Sequence, residues 1–157
     1  MLRKCEVIKK QRIRAVLDTN LFVSALFSLY GSVATLQQLW ISGAFELAVS
    51  GDILQEIEET LQKPHIHKQL HLKPEEIGGI IELIREKAFV VTNDRYKTDR
   101  IIDDPDDNKF LGCALEAKAY YVVSGDNHLL SLKHFHGIQI VDAKTFVQEM
   151  ERKTSHQ

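Results

Sequence analysis

The sequence predicts an α/β fold with three layers, α/β/α, and a central parallel sheet of about five strands. Short apolar runs of strand length alternate along the chain with segments in which apolar residues recur at helical spacing. Repeated β-α units of this kind build a parallel sheet that helices cover. The composition, with 44% hydrophobic and 27% charged residues, is typical of a folded globular chain and argues against disordered or fibrous classes.

Five short apolar runs are the expected strands of this sheet. In chain order they cover residues 15–17, 45–49, 89–91, 120–123 and 138–141. None of them approaches the roughly 20 apolar residues that cross a bilayer. We therefore expect a protein without a membrane-spanning segment.

Four segments between these runs carry helical periodicity. Their apolar residues recur every three or four positions within residues 33–41, 53–61, 77–84 and 110–115. Pro64 should stop the second of these helices, because a proline inside a helix removes a backbone hydrogen bond. Pro74 suits the first position of the third helix, where the backbone N–H would have no helical partner anyway.

One domain is expected over residues 12–151 of the 157-residue chain, between a flexible basic lead-in at 1–11 and a tail at 152–157. The lead-in lacks the apolar core of a secretory signal, and the two cysteines, Cys5 and Cys113, do not make a disulfide framework. These features predict a cytoplasmic protein.

The net charge of −2 gives no general support for nucleic-acid binding, which would need a local basic patch or bound cations.

Two acidic residues follow predicted strands. Asp18 comes directly after the first strand, and Asp126 follows the fourth strand through Ser124-Gly125. The carboxyl ends of parallel strands share one edge of the sheet, where a crevice binds ligands in open α/β folds. We therefore expect both carboxylates at that crevice.

Two further acidic residues lie near the start of predicted helices, which begin above the same edge. Glu56 lies in the second turn of the helix that Ser50-Gly51-Asp52 opens. Asp107 precedes Phe110 and Ala114 by three and seven positions, so it shares the inward face of their helix. The sequence thus predicts that these two carboxylates converge with Asp18 and Asp126.

Four converging carboxylates repel one another, by about 4 kcal/mol per close pair at an effective dielectric constant of 20. Raised pKa values, basic partners or bound cations can relieve this repulsion. No Lys or Arg adjoins Asp18 or Asp126 in sequence. Carboxylate oxygens favour Mg²⁺ or Mn²⁺, and such ions stabilise the attacking and leaving oxygens in phosphodiester cleavage.

Each acidic residue also has a purely structural interpretation. Asp18 could cap a helix, and Asp126 could start an ordinary turn. Asp107 could be the third residue of a helix that Asp104 caps, since acids in a first turn suit the helix dipole. Periodicity does not choose between Glu56 and Glu58, which flank the same apolar stripe.

Four short segments in order resemble the PIN-domain family, close to the bacterial VapC-type toxin ribonucleases. They are Val-Leu-Asp-Thr-Asn at 16–20, Val-Ser at 49–50 followed by Glu56, Asp-Pro-Asp-Asp-Asn at 104–108, and Val-Ser-Gly-Asp at 123–126. The resemblance covers roughly residues 13–148. It implies a parallel α/β sheet with a metal-dependent ribonuclease site.

The resemblance also implies roles for individual residues. Four acids take the metal-binding and catalytic positions, and these are Asp18, Glu56, Asp107 and Asp126. Two polar residues take supporting positions, and these are Asn20 and Ser124. Asp103, Asp104 and Asp106 crowd the third segment, and one of them, such as Asp104, could assist or replace Asp107. The implied cofactor is Mg²⁺ or Mn²⁺, and the implied partners are an RNA substrate, an antitoxin protein and a second copy of the chain.

Basic residues that could contact RNA phosphates are harder to select. The candidates are Lys63, Lys68, Arg95, Lys97 and Arg100. Each is also compatible with an ordinary solvated surface. The helices over 33–41 and 77–84 carry more apolar surface than a small domain needs, which favours a homodimer.

Two other functions are compatible with acids at a sheet edge. One is a different metal-dependent phosphotransfer or hydrolase domain, although a phosphatase would want Asp-x-Asp where this chain has Asp18-Thr19-Asn20. The other is a non-catalytic module that binds RNA or protein with the same surface. The complete set of acids argues against the second.

Overall fold

The fold is described from a computed structural model, which covers residues 12–91 and 105–155. Six strands form one sheet, and they are β1 (Arg14–Leu17), β2 (Glu46–Ser50), β3 (Phe89–Val91), β4 (Tyr121–Val123), β5 (His134–Phe135) and β6 (Ile138–Val141). Their order across the sheet is β3-β2-β1-β4-β6-β5. All neighbours are parallel except β5 and β6.

Helices connect these strands in the described ranges. They are α1 (Thr19–Phe27), α2 (Gly31–Ser42), α3 (Gly51–Leu61), α4 (Pro64–Leu70), α5 (Pro74–Lys87), α6 (Asn108–Ala117), α7 (Asn127–Leu130) and α8 (Ala143–Ser155). A single 3₁₀ turn, Pro105–Asp107, leads into α6. The predicted α/β class with a largely parallel sheet is confirmed.

The central strands β1, β2 and β4 are largely buried in the middle of the molecule. Val16 on β1 and Val122 on β4 are completely buried, as is Ala48 on β2. A hydrogen bond of 3.1 Å from the backbone N–H of Asp18 to the carbonyl of Val123 holds the carboxyl ends of β1 and β4 together. The predicted location of the acids, at the carboxyl ends of two strands, therefore corresponds to two adjacent strands in the centre of the sheet.

Three elements differ from the sequence prediction. Pro64 does not only follow the end of α3 but also begins α4, because proline is well placed at a helix start. β5 pairs with β6 through the two-residue turn His136-Gly137, whose φ angles of 48° and 84° suit a tight hairpin. α8 runs through Ser155, so four of the residues expected in a tail at 152–157 are helical. The expected lead-in at 1–11 lies outside the described residues.

The apolar stripes that favoured a dimer belong largely to the core. Leu36 and Trp40 of α2 are buried, and so are Ile77, Ile81 and Ile84 of α5. Among residues 12–91 and 105–155, no single helix is long and apolar enough to cross a membrane, and α1 with α2 reaches that composition only as a pair bent by 91°.

Candidate active site

Asp18 lies between β1 and α1 and is 7% exposed. One carboxylate oxygen caps α1 by accepting a hydrogen bond of 2.7 Å from the backbone N–H of Leu21. The other oxygen accepts a hydrogen bond from the hydroxyl of Ser124. The structural interpretation of Asp18 as a helix cap is therefore correct, and the cap also fixes where its carboxylate points.

Ser124 links the two acids that follow strands. Its side chain is completely buried at the end of β4. Its hydroxyl donates to Asp18, and its oxygen accepts a hydrogen bond of 2.9 Å from the backbone N–H of Asp126. The supporting role predicted for Ser124 thus has a direct geometric basis.

Burial raises the pKa of Asp18, and the negative charge of Asp126 raises it further. Hydrogen bonds from Ser124 and from the backbone of Leu21 oppose this shift without cancelling it. Ionisation of Asp18 therefore lowers the stability of the folded protein. A cation in the cleft would remove that cost.

Asp126 caps the short helix α7, where one carboxylate oxygen accepts a hydrogen bond of 2.8 Å from the backbone N–H of His128. A side-chain hydrogen bond with Asp107 is the largest cause that lowers the pKa of Asp126, followed by the His128 N–H. Two carboxyl groups hydrogen-bond only when they share a proton. Their donor atoms lie within 4.8 Å of each other, so one divalent cation could bind both.

Glu56 reaches the cleft from α3, whose first turn Ser50 caps through a bond of 3.2 Å from the backbone N–H of Ile53. The carboxylate accepts a hydrogen bond from the hydroxyl of Thr19 and forms an ion pair of 2.8 Å with Lys109. Glu58 is exposed on another face of the helix. Of these two residues, Glu56 lines the cleft and Glu58 does not.

All four predicted acids line one cleft of about 270 Å³ at the carboxyl edge of β1 and β4. A fifth acid, Glu59, also lines this cleft, together with Thr19, Asn20, Thr60, Lys63 and Phe110. Its volume lies near the lower end of the roughly 300–1,000 Å³ of ligand pockets. The space suits small ions and one phosphodiester better than a large organic cofactor.

Glu59, which lines the cleft, was missed by the sequence analysis, and so were Lys109 and His128. Lys109 lies 53 positions from Glu56, so nothing in the sequence marks their pairing. His128 lies two positions after Asp126, and its ring nitrogens were not considered as ligands. In the described part of the chain, Asp107, Asp126 and His128 each offer a donor atom within 4.8 Å of the other two. This set of oxygen and nitrogen donors fits a divalent cation.

The remaining predicted residues are distributed unevenly. Lys63 lines the cleft, whereas Lys68 is exposed on α4. Asp106 is exposed and lines an adjoining cleft with Lys109. The other predicted residues, Arg95, Lys97, Arg100 and Asp104, lie outside the described residues.

The PIN domain family matches residues 14–128, which run from β1 into α7 and include the four predicted acids of the cleft. The chain belongs to the PIN-domain family. The uncharacterized protein MJ1680 of Methanocaldococcus jannaschii is 28% identical over 156 residues, which are 94% of this chain and 97% of that protein.

Two solved structures share the PIN fold at low sequence identity. VapBC2 from Rickettsia felis, bound to a DNA fragment from their promoter, aligns with a TM-score of 0.56 and 13% identity over 83% of this chain and 98% of that chain. PAE2754 from Pyrobaculum aerophilum aligns with a TM-score of 0.56 and 16% identity, over 89% and 90% respectively. At these identities the likeness establishes the fold.

Replacing Ser124 with Ala should destabilise the protein by about 1–3 kcal/mol, because a buried N–H and a buried carboxylate each lose a partner. Urea unfolding measures this cost, and Ser42→Ala on the exposed end of α2 is the control. The loss should be smaller below the usual carboxyl pKa range, where Asp18 is protonated and needs the Ser124 hydroxyl less. Equal costs for both variants would contradict the linking role of Ser124.

Proposed function

We propose that this PIN domain is a divalent-metal-dependent endoribonuclease. The observation that carries the proposal is the convergence of Asp18, Glu56, Asp107 and Asp126 in one cleft at the carboxyl edge of the sheet. The overall charge of −2 gives RNA no general attraction, so cations in the cleft would have to offset these carboxylates locally.

Asp107 and Asp126 would hold the cation, with Asp18 and Glu56 completing its shell or holding its waters. When bound, Mg²⁺ or Mn²⁺ supplies positive charge to the attacking and leaving oxygens of the phosphodiester. The protein's own contribution is to fix the carboxylates before substrate arrives. The Leu21 N–H and the Ser124 hydroxyl orient Asp18, while the Thr19 hydroxyl and Lys109 restrain Glu56.

Cleavage of a single-stranded RNA by the purified protein tests this function. We expect cleavage with Mn²⁺ or Mg²⁺ and none with EDTA, with recovery when metal is added back. Cleavage that survives EDTA would contradict the metal mechanism. Absence of cleavage despite metal binding would favour the non-catalytic module that binds RNA or protein.

Lys63 is a predicted phosphate-binding residue that lines the cleft. It lies at the start of α4. Lys63→Gln should weaken RNA binding and lower the slope of log affinity against log salt by about 0.7, the contribution of one contact with a single strand. Lys153→Gln, at the far end of α8, is the control. Binding by fluorescence anisotropy between low and moderate salt measures both, and an unchanged slope for Lys63→Gln would remove that contact.

We also propose that the chain is the toxin of a toxin–antitoxin pair and that it forms a homodimer. The likeness in fold to VapBC2 supports the first part. Exposed apolar residues in the described chain, such as Leu29 at 80% and Tyr30 at 86%, leave apolar surface for a partner. Light scattering at micromolar concentration should give the mass of two chains, and a monomer would count against the dimer.

A further inference from the structure

A histidine accompanies the two acids that would hold the cation. His128 lies in α7, two residues after Asp126, and its ring is 48% exposed. Its Nδ1 lies 3.7 Å from an oxygen of Asp126, and one donor atom from each of Asp107, Asp126 and His128 lies within 4.8 Å of the other two. Asp18 and Glu56 are not part of this closest group of donors.

The spacing of these three donors suits one ion. Two donors bound to the same ion at about 2.1 Å lie roughly 3 Å apart when they are adjacent and roughly 4.2 Å apart when they are opposite. The distance of 3.7 Å between His128 and Asp126 falls inside that interval. Because the ring is half-exposed, it can rotate by a small amount without disturbing the core.

The backbone around His128 is fixed relative to the sheet. The N–H of His128 donates to Asp126 at 2.8 Å, and the N–H of Asp126 donates to Ser124 at 2.9 Å. The next residue, Leu129, is completely buried and anchors α7 in the core. The carboxylate and the imidazole are therefore carried by one short segment that is tied to the end of β4.

We propose that His128 is a nitrogen ligand of the cation and that it makes the site select a transition-metal ion over Mg²⁺. This inference rests on the proposed metal-dependent function. Mg²⁺ takes oxygen ligands and loses water reluctantly, whereas imidazole is a common ligand of divalent transition metals. A site with two carboxylates and one imidazole favours the ion that accepts both donor types.

A different role for His128 is available and is separable by experiment. A protonated ring would form an ion pair with Asp126 and would bind no metal. In that case the nitrogen would never contact the cation. A spectroscopic signal that requires direct nitrogen–metal contact therefore decides between the two roles.

The test uses the full chain without a histidine tag, loaded with less than one equivalent of Mn²⁺. Pulsed electron paramagnetic resonance should detect coupling of Mn²⁺ to a bound ¹⁴N nucleus in the wild type and in His134→Gln, a control at an exposed histidine of β5. The coupling should vanish in His128→Gln. Calorimetry should show at least about a tenfold loss of Mn²⁺ affinity in His128→Gln, with a smaller loss for Mg²⁺.

Two results would overturn the proposal in different ways. Mn²⁺ bound to the wild type without nitrogen coupling would remove His128 as a ligand, while RNA cleavage that depends on metal would leave the proposed function intact. Absence of Mn²⁺ binding altogether would remove both the ligand assignment and the metal-dependent function.

Discussion

Asp18→Asn is expected to abolish RNA cleavage while raising the melting temperature of the metal-free protein. The carboxylate is buried, and burial together with the charge of Asp126 disfavours its ionised form. Asn keeps an oxygen for the Leu21 N–H and can still hydrogen-bond with Ser124, but it carries no charge. With metal present the same change removes a carboxylate that completes the ion's shell or holds its waters, so cleavage should fall by at least about a hundredfold.

The gain in stability has a defined dependence on pH. Because the pKa of Asp18 is raised in the folded state, its ionisation costs stability as the pH rises through that folded pKa. Asn at this position does not titrate. The variant should therefore be more stable than the wild type at neutral pH in EDTA, and the difference should disappear below the ordinary carboxyl pKa of 3.8.

Glu58→Gln is the matched control, since Glu58 is an exposed acid on α3 that lies outside the cleft. It should change neither cleavage nor the metal-free melting temperature appreciably. Wild-type cleavage by Asp18→Asn would overturn the functional account, because no acidic neighbour of Asp18 could replace it. Asp107→Asn should behave as Asp18→Asn does, and wild-type cleavage by that variant would move its role to Asp104 or Asp106.

Phe146→Ala should destabilise the fold by about 3–5 kcal/mol, the usual cost of emptying a phenylalanine site in a core. Phe146 projects from α8 and is completely buried. Its ring packs edge-on against Phe45 at 5.0 Å and against Tyr121 at 5.2 Å. It therefore ties α8 to residues at the start of β2 and on β4.

Urea unfolding measures this effect, with Leu29→Ala as the control. Leu29 is 80% exposed, so its truncation should change the free energy of unfolding by less than about 0.5 kcal/mol. A loss below about 1 kcal/mol for Phe146→Ala would mean that α8 contributes little to the core. Shortening the chain before α8 would then be tolerated.

The strands and their acidic edge were predictable because both depend on local signals. A run of apolar residues marks a buried strand, and the carboxyl ends of parallel strands must meet at one edge. Asp18 and Asp126 follow such strands directly, so topology alone brings them together. Their shared partner Ser124 could be anticipated only from the family resemblance.

The missed elements have different causes. α8 does carry a helical signal, since Ala143, Phe146, Val147 and Met150 are buried at the spacing of one helix face, but charged residues surround them. β5 has only two residues, which is too short for a periodic pattern. The turn at His136-Gly137 was the available signal for it.

The missed contacts of the site depend on packing between distant segments. The choice of Glu56 over Glu58 is made by the hydroxyl of Thr19 on α1 and by Lys109 on α6. Periodicity within α3 contains no information on either neighbour. His128 carries no signal in the sequence, because only the fold brings Asp107 close to it and to Asp126.

The central claim is that the converging acids hold a divalent cation, and anomalous diffraction from crystals grown with Mn²⁺ tests it most directly. The account predicts an anomalous peak in the cleft, within coordination distance of Asp107 and Asp126, and its absence in crystals of Asp107→Asn. A cleft that stays empty at saturating Mn²⁺, in protein that cleaves RNA, would contradict the claim.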